Sequence, residues 1–277
     1  MNNPLLIASV FDKIQILRKT GEGFLSSGAK FEIPDNPMRD VTVLPPKLLP
    51  NKPGFSLKEG QARLLHDLAA IELQAMELAL RGLLEFENAP MQFKEELLNL
   101  ALSEAEHLEL CLSSLESLGF KWGDWPTHNV LWNSVRKEDE LLDRVLLVHC
   151  YLEGSGLDAG DTLLRRLYGL TEGVTFRTVR RIVKEEIDHV QFGLRWFQDI
   201  CKFEKLDPDI EFQARLRKLE KQLPKRMEPL SLVLRNKSGF SQKQLTEILK
   251  LRKSEFSNNS EQTLGRVVDS PHLSGII

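Results

Sequence analysis

The sequence predicts an all-α protein: a four-helix bundle preceded by an N-terminal helix and strap and followed by a helical extension. Three observations carry this. Apolar residues recur at helical spacing over most of the 277 positions, and no succession of alternating strands interrupts them. Proline and glycine are concentrated in a few stretches that separate the long periodic runs. Glu-x-x-His occurs twice, at Glu104/His107 and Glu186/His189, each time inside one of those runs.

Residues 4–19 are predicted to form a first amphipathic helix. Residues 21–55 hold Pro34, Pro37, Pro45, Pro46, Pro50 and Pro53, so they are expected to run as an extended strap over the surface. Ser56 and Glu59 have the spacing of a capping box and are expected to open a helix running to about Phe86. Pro90 suits the start of a second helix, which Gly119 is expected to end. The loop that follows carries Trp122, Gly123, Trp125 and Pro126. The third long helix is expected over 134–153, ending or loosening at Gly154 and Gly156. A fourth is expected over 173–202. Asp207 before Pro208 marks a fifth helix start, running to about Leu223, and a further helix is expected over 241–253. The organisation is thus 1–55 (helix and strap), 56–203 (bundle), 204–253 (basic helices) and 254–277 (a flexible tail).

Composition narrows the function. Cys111, Cys150 and Cys201 lie within helical runs and are too few for a disulfide framework, so they read as reduced thiols. Charges interrupt the apolar residues near the N-terminus, where no basic leader stands. No run reaches the roughly 18 apolar residues of a membrane span. A cytoplasmic protein that does not engage a membrane is expected, and a homodimer is compatible with the reading. The formal net charge of -3 hides an asymmetry. Residues 215–253 hold twelve Lys/Arg against Glu220, Glu228 and Glu247, a local charge of +9 that leaves -12 elsewhere. That segment is either a solvated helix face or a surface for an anionic partner such as RNA.

The chemistry is carried by six residues. A two-metal site in a helical bundle needs carboxylates to balance and bridge the ions and imidazoles to complete their shells. The recurring solution is one Glu from each of two helices and Glu-x-x-His from each of the other two. Residues three apart share a helix face, so each Glu and His of a pair can address one centre. Glu72 stands 32 residues before Glu104, and Glu153 stands 33 before Glu186. Each gap fits the rest of one helix, a turn and part of the antiparallel return. The six candidate metal ligands are therefore Glu72, Glu104, His107, Glu153, Glu186 and His189. Glu77 is a rival for Glu72 but lies off its face. Glu106, Glu185 and Asp188 are expected to face solvent or to support the ligands from outside. His149, Cys111 and Cys150 share the metal face, with core packing their expected role; the same holds for Phe192, Gly193 and Trp196.

The chain resembles a bacterial ferritin-like family of uncharacterised proteins, a domain of unknown function whose members sometimes carry a rhamnosyltransferase label. The resemblance rests on Leu44-Pro45-Pro46-Lys47-Leu48-Leu49-Pro50, on His66 to Leu73, on Trp122 to His128 with Leu131 and Trp132, on Gly156-Leu157-Asp158, and on Asp188-His189-Val190 with Arg195-Trp196-Phe197. It covers roughly residues 40–203. It implies a ferritin-like fold, the same six ligands, and a distant relation to the di-iron hydroxylases that modify tRNA. This chain departs from the family at Gly154-Ser155, where members usually have Ala-Arg, and at Ile187-Asp188 between Glu186 and His189. No glycosyltransferase fold supports the inherited label.

The expected activity is an oxygen-dependent di-iron oxidoreductase, a hydroxylase or oxidase, with two Fe ions (or Fe/Mn, or Mn/Mn) and dioxygen as co-substrate. Its substrate is a small molecule or RNA. Glu153, beside the loosened helix end, is the carboxylate expected to shift during catalysis. The alternatives are metal binding or storage without catalysis, and RNA binding or tRNA modification through residues 215–253.

Overall fold

The computed structural model describes residues 3–26, 31–170, 173–224 and 228–260. Among these there is no strand, only an isolated parallel bridge between Val43 and Thr127. The all-α expectation holds. The helices are α1 (Val10–Ser26), α2 (Lys58–Glu85), α3 (Met91–Ser117), α4 (Leu141–Arg144), α5 (Glu153–Leu167), α6 (Val174–Phe203), α7 (Pro208–Leu219), α8 (Leu232–Lys237) and α9 (Gln242–Ser260). A π-helical segment, Val145–Leu152, joins α4 to α5 without a break.

Four long helical runs pack together: α2 against α3, α3 against α6, and α5 with the π segment against α6. One continuous apolar cluster, including Leu73, Met76, Leu108, Val145, Leu146 and Phe197, fills the space between them. No helix among the described residues is long and apolar enough to cross a membrane.

Several boundaries differ from expectation. The first helix begins at Val10, because Pro4–Leu6 forms a separate 3-10 turn and Ser9 Oγ accepts the Asp12 N–H. It then continues through Gly21, whose bare Cα lets α1 approach α3; a Cβ there would sit 3.0 Å from Leu98. The proposed Ser56–Glu59 capping box does not form. Instead the chain doubles back over the first turn of α2, and Gly60 is packed so closely under Gly54 that a Cβ would meet its carbonyl.

The largest correction concerns the third long helix. It starts at Leu141, not 134, where Asp143 accepts the Glu140 N–H, and Trp132–Ser134 is a separate 3-10 turn. It runs through Gly154 and Gly156 to Leu167 rather than ending there. Gly154 acts as a packing slot, because a Cβ there would lie 2.8 Å from Arg235 Nη1. The loosening sits upstream of Glu153, in the π segment. There α6 touches it directly: a Cβ on Gly193 would come within 2.6 Å of the His149 backbone.

The outer elements are tied down by buried charge. Lys13 of α1 and Arg39 of the strap both pair with buried Glu77 of α2. The strap is held to the loop before α4 by Trp122 Nε1 donating to Asp40, Trp132 Nε1 donating to the Asp35 carbonyl, and backbone bonds between Thr127 and both Thr42 and Leu44. Asp207 caps α7 by accepting the Asp209 and Ile210 N–H groups. Arg215 and Lys218 of α7 then pair with buried Asp143. Arg235 of α8 and Arg252 of α9 converge on Asp158 of α5, a group 1% exposed. The last helix passes the expected end at 253 and reaches Ser260; the tail expectation over 261–277 lies outside the described residues.

Candidate metal centre

Glu104 and His107 are one helical turn apart on α3, and Glu186 and His189 are likewise spaced on α6. Because α3 and α6 are neighbours, the two pairs meet in the middle of the molecule. One ligand atom from each of the four lies within 4.8 Å of all the others. His107 Nδ1 is 3.1 Å from Glu186 Oε1 and 3.5 Å from Glu104 Oε2. His189 Nδ1 is 2.9 Å from Glu104 Oε1 and 3.3 Å from Glu186 Oε1. Each of these two carboxylates therefore faces both imidazoles.

Glu72, on α2, approaches from the side, with Oε2 3.6 Å from His107 Nδ1. Glu153 is the first residue of α5, half-buried, and borders the same cavity as Glu72 and Glu186. The six residues singled out in the sequence are thus gathered in one place. Glu77 is not among them, being ion-paired with Lys13 and Arg39. His149 packs edge-on to Phe192, 5.1 Å between ring centroids, and burial lowers its pKa to about 3, so it is neutral. Burial raises the Cys111 thiol well above its ordinary range, which keeps it protonated and a poor ligand.

The distal nitrogens of the two imidazoles are held from outside. His107 Nε2 lies 3.0 Å from Glu185 Oε2, and His189 Nε2 lies 2.9 Å from Ser103 Oγ. A carboxylate can only accept, so His107 Nε2 carries a proton and a neutral ring turns its Nδ1 lone pair inward. Of the two roles the sequence allows Glu185, facing solvent or supporting a ligand, the second is the one it fills. Ser103 carried no signal beyond its place beside Glu104.

The electrostatics follow from crowding carboxylates in a buried space. Burial, assisted by the charges of Glu104 and Glu186, pushes Glu72 up to about 8. Burial and the same two neighbours raise Glu153 well above the usual carboxylate range. Burial opposes ionisation of Glu104 and Glu186, but the two imidazoles outweigh it and hold both low. The carboxylates in turn raise His107 and His189 against the effect of burial. A site of this kind draws in positive charge, as protons or as metal ions.

The donor set fits a metal. Both Glu104 oxygens, Glu186 Oε2, His107 Nδ1 and His189 Nδ1 are buried without a hydrogen-bond partner. Leaving that many polar atoms unsatisfied is costly unless a cation serves them. Carboxylate oxygen with imidazole nitrogen is the donor chemistry of iron, manganese and zinc sites.

The two sides of the cluster differ. Past Ser103, Glu185 and His189 runs an open, mixed-polarity groove of about 800 Å³. On the opposite side Glu72, Glu153 and Glu186 border a narrow cavity of about 150 Å³.

The chain matches the family described as "Protein of unknown function (DUF455)" over residues 7–246, nearly its whole length. The chain belongs to the DUF455 family. This DUF455 protein is also similar to an uncharacterized protein of Haemophilus influenzae (strain ATCC 51907 / DSM 11121 / KW20 / Rd), with 30% identity over 182 residues. That alignment spans 63% of this chain and 62% of the relative. No solved structure matches.

Proposed function

We propose that this DUF455 protein is a ferritin-like di-metal carboxylate protein that activates dioxygen, an oxidoreductase acting as a hydroxylase or oxidase. The observation that carries the reading is the convergence of five buried donor atoms, without hydrogen-bond partners, from two Glu-x-x-His pairs on adjacent helices. Glu, Glu-x-x-His, Glu and Glu-x-x-His, one from each of four long helical runs, is the ligand order of ferritin-like di-metal proteins. The resemblance to di-iron tRNA hydroxylases points the same way.

Two bound iron ions, or an Fe/Mn or Mn/Mn pair, would supply the electrons and oxidising power for dioxygen chemistry. The protein's part is to hold and tune them. Glu104 and Glu186, each facing both imidazoles, would hold the metal together with His107 and His189. Glu72 and Glu153 complete the set on the cavity side. Glu185 and Ser103 fix the imidazole rings. Glu153 follows the π segment and borders the cavity, so it is the carboxylate with room to shift.

Metal analysis of the purified protein tests this. About two Fe or Mn per chain are expected; a chain without metal, unaffected by Glu104→Ala, overturns it. Accumulation of many irons per chain would favour storage instead. RNA binding that weakens steeply with salt would favour the RNA reading. Against that reading, Arg215, Lys218, Arg235, Lys243, Lys250 and Arg252 of the basic segment already have carboxylate partners within the chain.

A further inference from the structure

The cavity beside Glu72, Glu153 and Glu186 has a wall of carbon. Leu68, Ala75, Val148, Ala159, Leu163 and Val179 are representative of its lining, and no Lys, Arg or His borders it. Ser155 is the one other polar residue there, and its hydroxyl donates to the Tyr151 carbonyl at 2.7 Å. The three carboxylates are therefore the polar groups left facing the space. Gly156, one helical turn after Glu153, is exposed, and a Cβ on it would meet nothing within 4 Å, so it marks an open mouth. Gly160, by contrast, presses against Val183 so closely that α5 and α6 leave no second opening at that point.

We propose that this cavity binds an uncharged, slender apolar group, entering past Gly156 and ending against the three carboxylates. An anionic group would meet three carboxylates and no cation, and a strongly polar one would give up its hydrogen bonds to water along the aliphatic wall. An aliphatic wall takes apolar guests, and a cavity of about 150 Å³ holds a benzene-sized molecule. Space of that size is too small for a whole drug-sized ligand. The guest is thus a molecule of about six carbons, or the apolar end of a longer one whose remainder stays outside the mouth. That this group is the one oxidised rests on the function proposed above; its binding does not.

The test uses the full-length protein as purified, with hexan-1-ol and benzene as probes. Both should raise the melting temperature, by about 3 °C at tenfold excess over the dissociation constant. Ala159→Phe, which fills the channel, should abolish the shift while the metal content stays that of the parent. Xenon under pressure should occupy the cavity of the unaltered protein in crystals, beside Val179. That measurement decides the matter even if the variant does not fold. Absence of both the probe shift and xenon overturns the proposal, as does an equal shift in a folded Ala159→Phe protein. Probe binding to a protein that proves to hold no metal upholds the cavity assignment and removes the oxidoreductase reading.

Discussion

Glu185 Oε2 stands 3.0 Å from His107 Nε2, so a partly exposed carboxylate sets the tautomer of a fully buried ring. If the centre binds metal, Glu185→Ala should weaken that binding by about 10- to 100-fold while leaving the melting temperature of the metal-free protein nearly unchanged. Glu185→Gln, which keeps an acceptor oxygen, should restore part of the loss. Titration with Fe(II) or Mn(II) against a competing chelator reads both.

Asp158 neutralises two arginines that are themselves buried, Arg235 and Arg252. Asp158→Ala would leave both without their carboxylate, and a loss of about 3–5 kcal/mol is expected. Urea denaturation measures it. Limited proteolysis should then cut first in the chain between α7 and α8.

Gly193 lies against the His149 backbone in the π segment, so Gly193→Ala forces the two helices apart. Overpacking of this kind costs about 1–3 kcal/mol. Because the strain falls just before Glu153, metal content should drop together with stability; a Gly193→Ala protein that is less stable but fully loaded would uncouple the π segment from the centre.

His66 is fully buried, stacks on Trp122 at 4.8 Å, and its Nε2 accepts the Gly123 N–H. Burial lowers its pKa to about 4. The unfolded chain takes up a proton near pH 6.5 while the folded one does not until about pH 4. The contribution to stability is therefore complete above pH 6.5 and lost as pH falls toward 4, to the extent of about 3 kcal/mol. Relative to the parent, His66→Gln should flatten the fall in unfolding free energy across that window.

The helices and the gathering of the six Glu and His residues were legible because they obey local rules. The spacing of Glu72 to Glu104 and of Glu153 to Glu186 encodes the hairpins, and the i,i+3 pairs encode a shared face. What escaped depends on partners far along the chain. Gly154 and Gly156 looked like a helix end because glycine usually breaks helices; the slot at Gly154 exists for an arginine 81 positions later. The π segment lies in a uniformly apolar run, Val145–Leu152, where no periodicity distinguishes one helical pitch from another. The basic stretch at 215–253 left a solvated face and a surface for an anion both open, since net charge records how many cations there are and not which carboxylates they meet. Ser103 was invisible because its role is defined by a histidine on another helix.

The ion triad of Asp158 with Arg235 and Arg252 also bears on the order of assembly. All six ligand candidates have left the ribosome once His189 has, yet the helix bearing Glu153 then still holds a buried aspartate with neither of its arginines made. The arm that carries them is synthesised last. A nascent or truncated product ending near residue 203 would hold all six candidate ligands without the two arginines that neutralise Asp158.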